Sequence, residues 1–213
     1  MKYRRKRHLT SLSVELGLTP PRALIAELVR RYLIPGIECS LLEIQKLAWF
    51  LGRIIEHQEI NNPLDLRFDA NRYGPYASRL MHLLDALDGS YLHCSKRIAD
   101  ATPGETIWFE DSKREHIACY LNEPSNKAYL HALDKTEELI DGLQSPLGLE
   151  ALATIDWLFS REQCEQDIYA VKEGLRNWHG GNGAGERKLR IFNDTLLEVC
   201  IKRLTEESPL YRS

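Results

Sequence analysis

Two residue pairs offer metal or nucleophile chemistry by type alone: His93-Cys94 and His116-xx-Cys119. Zinc takes tetrahedral nitrogen and sulfur ligands. This spacing matches no strong zinc signature, however, and adjacent side chains in a strand point to opposite faces. The chain's five cysteines and seven histidines also permit a notional Cys–His nucleophile, but no motif context surrounds any of them. The run His179-Gly180-Gly181-Asn182-Gly183-Ala184-Gly185 is glycine-rich. It lacks the Gly-Lys-Ser/Thr of a phosphate-binding loop, and a helix rather than a strand precedes it, so it reads as a mobile connector. No catalytic residue, metal or cofactor is expected from these features.

Tyr73-Gly74-Pro75-Tyr76 is the most unusual local feature. Proline fixes its own φ and pushes the residue before it towards extended geometry, so the two tyrosines sit on a stiff turn. Pro75 also suits the first turn of a following helix. Two readings stay open at this level: a strand-to-helix corner with its tyrosines packed inward, or a pre-ordered aromatic contact for a partner. Carboxylates lie close by in sequence, giving a candidate binding set of Asp65, Asp69, Tyr73, Tyr76, Asp85, Asp88 and Tyr91.

The elements that must position these residues are mostly helical. Thr19-Pro20-Pro21 opens a helix whose apolar stripe is Leu24, Ile25, Leu28, Val29 and Tyr32, ending at Pro35-Gly36. Ser40 and Glu43 form a capping box at the head of a second helix running to about His57. Leu64, Leu66 and Phe68 alternate with polar residues, the period of a half-buried strand. A helix through Leu80, Leu83, Leu84 and Leu87 stops at Asp88-Gly89. Strands at 91–98 and 106–109 pair across Thr102-Pro103-Gly104. Helices follow over 114–121, 126–143, from Pro146 through Phe159, over 167–178 and over 193–204. The expected architecture is a mainly α, compact domain of about seven or eight helices with a small antiparallel sheet near residues 64–110. Residues 1–18 read as a basic arm or linker remnant, and 19–213 as the domain.

Charge separates the two parts. Residues 1–31 hold eight basic and two acidic side chains, +6, so the net −3 of the chain leaves −9 on the other 182 residues. An acidic body repels phosphates and disfavours direct nucleic-acid binding. The odd cysteine count without a CxxC pair fits reduced thiols in a cytoplasmic protein. No apolar run approaches the ~20 residues a membrane helix needs.

The residues from Ser40 to Leu51 (Ser-Leu-Leu-Glu-Ile-Gln-Lys-Leu-Ala-Trp-Phe-Leu), then Leu66-Arg67-Phe68 and Tyr73-Gly74-Pro75-Tyr76-Ala77 with Leu80, His82, Leu84, Leu87, Gly89 and Tyr91, resemble the C-terminal, toxin-binding domain of DarG antitoxins. Ser145-Pro146-Leu147-Gly148-Leu149-Glu150 through Trp157 is similar to that family's second signature, and Trp178, Arg187, Lys188 and Phe192 follow in order. The resemblance covers residues 19–206. It implies a domain that is not an enzyme but binds and neutralises a DarT-type ADP-ribosyltransferase toxin, with acids in place of phosphates and aromatic rings in place of bases at the toxin's single-stranded DNA site. The resemblance also implies that a full-length parent carries a DNA ADP-ribosyl glycohydrolase macrodomain. About 18 residues precede the match here, too few for a domain of about 150 residues. Allosteric locking of the toxin is the competing mechanism. Other readings are a Panacea-like antitoxin of a different toxin, a DNA-binding regulator using the basic arm, and a hydrolase using the His–Cys pairs.

Overall fold

A computed structural model describes residues 17–32 and 39–212. Most of the expected basic arm, and the expected stop at Pro35-Gly36, lie outside the described residues.

Helix α1 (Pro20–Arg31) begins with the two prolines in its first turn, although the Thr19 side chain makes no capping bond. Strand β1 (Cys39–Ser40) leads directly into helix α2 (Leu41–His57). The capping box forms as expected: Ser40 Oγ accepts from the Glu43 amide and Glu43 Oε2 accepts from the Ser40 amide at 2.8 Å. The second Glu43 oxygen accepts from the Tyr32 hydroxyl at 2.5 Å, which joins α1 to the head of α2. Apolar residues surround most of α2, with Ile44, Leu47, Trp49, Phe50, Leu51, Ile54 and Ile55 all buried. Such a helix has to be enclosed by others. It packs against α1, α5 (Lys127–Ile140) and α6 (Pro146–Arg161). The Ser145 hydroxyl caps α6 by accepting from the Gly148 amide at 3.0 Å.

Between α2 and α5 the chain makes two small sheets. Strands β2 (Asp69–Asn71) and β3 (Gly74–Tyr76) form a hairpin, with Asp69 opposite Tyr76 and Asn71 opposite Gly74. Helix α3 (Ser78–Asp85) follows. Strands β4 (Leu92–Cys94) and β5 (Thr106–Phe109) complete a three-stranded antiparallel sheet in the order β1-β5-β4. The first strand expectation needs correcting. Leu64, Leu66 and Phe68 precede the ladder, and their alternation records contact with the core rather than strand pairing. Pro75 lies in β3, not in the first turn of the helix.

Helices α4 (Arg114–Leu121), α7 (Ile168–Arg176), α8 (Ala184–Ile191) and α9 (Asp194–Lys202), with a wider π turn at Arg203–Glu207, complete the described chain. The described residues thus hold nine α-helices, and the protein is mainly α. None of these helices is long and apolar enough to cross a membrane.

The glycine-rich run is not a loose connector. The Trp178 indole N–H donates to the Asn71 carbonyl at 2.9 Å. A Cβ on Gly180 would lie 2.3 Å from that same carbonyl oxygen, and one on Gly185 would lie 2.3 Å from the Leu175 carbonyl. Both glycines are present because backbone passes too close for a side chain. The corner holds the β2–β3 hairpin in place and begins α8 immediately.

Candidate functional site

The hairpin at Tyr73–Tyr76 is clamped from beneath by two successive residues of α2. Gln45 binds the Ala77 backbone at both ends, donating to its carbonyl at 3.1 Å and accepting from its amide at 2.8 Å. Lys46 donates to the Pro75 carbonyl at 3.2 Å. Gly74 has φ +94°, and a Cβ there would stand 3.1 Å from Thr154 Oγ1 and 3.4 Å from Lys46 Cε. The turn therefore needs glycine both for its dihedral angle and for its approach to α6. This differs from the extended geometry expected ahead of Pro75.

Charged groups are buried behind the hairpin. Glu150 of α6 accepts from Arg187 at 2.6 and 3.1 Å and from Lys188 at 2.8 Å. Lys188 is fully enclosed. Its ammonium also reaches Thr154 Oγ1 at 3.2 Å and lies over the rings of Trp178 and Phe192. Arg187 lies over the Tyr73 ring, 4.7 Å from its centre. Burial pushes the Glu150 carboxyl up, but the hydrogen bonds and charges of Arg187 and Lys188 more than offset this and hold it below the usual range. Burial lowers Lys188 to about 8, against the opposing pull of Glu150. Burial likewise lowers Lys46 to about 7. The Glu150 charge counters part of that shift, and the Lys188 charge adds to it.

Beside the hairpin opens a cleft of about 490 Å³. Leu41, Leu42, Met81, Ala99, Ala101 and Pro103 supply its apolar wall, and Gln45, Lys46, Asn71, Tyr73 and Tyr76 its polar one. The Lys46 amine has a single hydrogen bond among the described residues, leaving donor capacity where it meets the cleft. Two phenol rings beside a buried amine suit a ligand with both a planar group and an anionic one.

The two depressed lysines make stability depend on pH with a definite sign. An unfolded lysine keeps its proton to about pH 10.4, whereas folded Lys46 and Lys188 release theirs near 7 and 8. Above those values the unfolded chain binds more protons than the folded one, so stability rises with pH. Urea denaturation should give a gain of about 1–2 kcal/mol between about pH 7 and pH 8.5. The buried thiols oppose the rise above their ordinary pKa of 9.0 and flatten it, since burial pushes Cys39 up and raises Cys200 to about 12. Lys46→Met should flatten the rise. A rise left unchanged in both Lys46→Met and Lys188→Met would assign it to other groups.

Of the seven residues singled out from the sequence, the fold brings only Tyr73 and Tyr76 together at the cleft. Asp69 is exposed in β2. Asp65, at φ 45°, pairs with Arg79, and Asp85 pairs with Arg97 at 3.0 Å. Asp88 accepts from the Ile98 amide at 2.9 Å. Tyr91 is buried at 2% exposure with its hydroxyl 2.6 Å from His116 Nδ1, so its ring belongs to the core. The sequence reading missed Lys46, Glu150, Arg187 and Lys188 as a cluster. One signal was available: Lys46 falls at helical spacing between Leu42 and the apolar Trp49 and Phe50 of a helix that is apolar around most of its circumference, and a lysine there must be buried or displace the helix. Among the described residues no group of three or more His, Cys, Asp or Glu side chains gathers as a metal site would require.

No family model matches the chain. Similar proteins, however, are named as enzymes. Over 202 residues the chain is 30% identical to the DNA ADP-ribosyl glycohydrolases of Mycobacterium bovis (strain BCG / Pasteur 1173P2) and Mycobacterium tuberculosis (strain ATCC 25618 / H37Rv), covering 89% of this chain and 53% of each relative. It is 29% identical over 202 residues to the DNA ADP-ribosyl glycohydrolase of Thermus aquaticus (strain ATCC BAA-2747 / Y51MC23), covering 95% of this chain and 51% of the relative. The chain spans about half the length of the curated relatives it matches.

These relatives correct three expectations. Their name is that of a glycohydrolase of ADP-ribosylated DNA. It replaces the resemblance to a toxin-binding antitoxin domain, the expected neutralisation of a DarT-type toxin, and the expectation that the chain is not an enzyme. The candidate binding set is a separate expectation: Asp65 and Asp85 form exposed ion pairs with Arg79 and Arg97, Asp88 accepts from the Ile98 amide, and Tyr91 is internal.

Proposed function

We propose that the chain works on ADP-ribosylated DNA as part of a glycohydrolase, and that the cleft beside the Tyr73–Tyr76 hairpin holds the modified nucleotide. The alignment with glycohydrolases along about nine-tenths of the chain is the observation that carries this reading. The chemistry of the cleft is consistent with it. Tyr73 and Tyr76 offer faces on which a base can stack, and Lys46 offers a donor to a phosphate in a body otherwise acidic. Arg187 behind Tyr73 fixes the ring's position.

The test compares an ADP-ribosylated oligodeoxynucleotide with its unmodified twin, following binding by fluorescence anisotropy and release of ADP-ribose by chromatography. The modified strand should bind about tenfold or more tightly than the unmodified one, and Tyr73→Ala or Tyr76→Ala should each weaken it by about tenfold, the worth of one stacked base. Equal affinity for both strands, with no ADP-ribose released, would end this reading.

A further inference from the structure

A second pocket lies further along α2, where no role has been assigned. We infer that it binds one nucleoside-phosphate unit, through arginines that grip the phosphate and the partly exposed Trp157 and Phe68 rings, backed by buried Trp49, that receive the base. Its volume is about 320 Å³, at the small end of the roughly 300–1,000 Å³ seen for ligand pockets, so it has room for one nucleotide rather than two.

Three arginines line the pocket, Arg53, Arg67 and Arg161, against one carboxylate, Glu56. That local excess of positive charge stands out in a body that carries −9 outside its first 31 residues. The arginines differ in how they are held. Arg53 is anchored: it donates to Asp156 at 3.1 and 3.4 Å and to the Tyr211 hydroxyl at 3.2 Å. Its Nη1 has no partner among the described residues, and that donor is left for the pocket. Arg161 stands with its guanidinium 5.5 Å from the centre of the Trp49 ring, and neither it nor Arg67 pairs with a carboxylate among the described residues. Arginine without an acid partner beside aromatic rings suits recognition of a phosphate joined to a planar base, because the guanidinium can both stack and donate in a fork. The aromatic wall is built in advance. Trp49 is fixed by its indole bond to Asp156 at 2.8 Å and packs against Phe68 and Trp157, with ring centres at 5.2 and 5.4 Å.

The same chemistry is presented by a free mononucleotide and by one residue of a DNA strand, so the test uses both. AMP, adenosine, inorganic phosphate, a short oligodeoxyadenylate and a polyglutamate peptide are titrated into the full chain by calorimetry, with the indole N–H signals followed by NMR. AMP or the oligonucleotide should bind about tenfold or more tightly than adenosine or phosphate alone, since base and phosphate contacts reinforce each other. Signals of Trp49 and Trp157 should shift while that of exposed Trp108 stays put. The double variant Arg67→Ala/Arg161→Ala should lose about tenfold or more of that affinity with an unchanged unfolding midpoint, because both side chains are exposed and outside the ion-pair network. Preference for AMP over the oligonucleotide would identify the free nucleotide as the source, and the reverse would identify a strand. Phosphate binding as tightly as AMP, polyglutamate competing equally, or affinity indifferent to the double variant would each overturn the inference. Tyr73→Ala should leave the AMP-dependent shifts of the Trp49 and Trp157 signals unchanged, so failure of the cleft reading and failure of this one can be told apart.

Discussion

Glu150→Ala should lower the free energy of folding by about 3–5 kcal/mol, the usual cost of stranding a buried charge. The carboxylate has two cationic neighbours, and their situations differ. Arg187 is partly exposed and can turn to water, whereas the Lys188 side chain is fully enclosed and would be left with only the Thr154 hydroxyl and two aromatic faces. Part of the pull that opposes burial at Lys188 comes from Glu150. Without it the lysine should release its proton at lower pH, and the variant's stability should climb with pH from a lower starting point than the parent's. Glu150→Gln keeps an acceptor and should lose less. Glu150→Ala/Lys188→Met removes both partners and should recover part of the loss, since no buried charge of the pair is then left uncompensated, while the cavity at position 150 remains. Urea denaturation of the three variants tests this. A loss below about 1 kcal/mol in Glu150→Ala would mean that water reaches Lys188 and that the cluster is not closed. Binding at the cleft should weaken in the same variant, because Arg187 then no longer holds Tyr73.

How much of this was legible in the sequence follows from the distance over which each feature is decided. The head of α2 could be read because a capping box is settled within four residues, and the strand at Thr106–Phe109 because its alternation is local. Strand β1 could not: two residues become a strand only by pairing with Thr106 and Ile107, far along the chain. Helix α8 was missed because the glycines at its start imitate a flexible linker. Their actual reason, the close approach of the Asn71 and Leu175 carbonyls, depends on the packed fold.

The site divides along the same line. Tyr73 and Tyr76 were visible because a Gly-Pro pair marks a turn wherever it stands. The four charged residues behind them were not, because Glu150 and Lys188 meet across 38 positions and each alone resembles an ordinary surface residue. The acids of the candidate set show the converse. Sequence adjacency suggested a shared surface, and the fold paired them separately with Arg79, Arg97 and the Ile98 amide.

Asp156→Ala should be about as costly, roughly 3–5 kcal/mol, and should act at two distant places. The carboxylate is fully buried in α6 and accepts from the Trp49 indole at 2.8 Å, from Arg53 at 3.1 Å and from the Tyr211 hydroxyl at 2.6 Å. Removing it strands the buried Trp49 donor, leaves the half-buried Tyr211 hydroxyl only the Asp156 backbone carbonyl at 3.3 Å, and leaves Arg53 to find water through the pocket it lines. The first consequence is local: Arg53 and Trp49 lose their common anchor, so nucleotide affinity should fall although Asp156 does not line the pocket. The second is at the far end of the described chain, where Tyr211 is tied to α6 by this carboxylate and by an edge contact with Phe159. Burial, together with the Asp156 charge and hydrogen bond, pushes the Tyr211 phenol well above its ordinary value, so it keeps its proton where a free phenol would lose it. Hydrogen exchange should therefore report loss of protection around residues 208–212 in Asp156→Ala. Tyr211→Phe should reproduce that loss at a cost of about 1 kcal/mol while leaving Trp49 in place. If Tyr211→Phe destabilised the fold as much as Asp156→Ala, the carboxylate would be serving the chain end alone. The reading of Asp156 as the support of the arginine pocket would then fall.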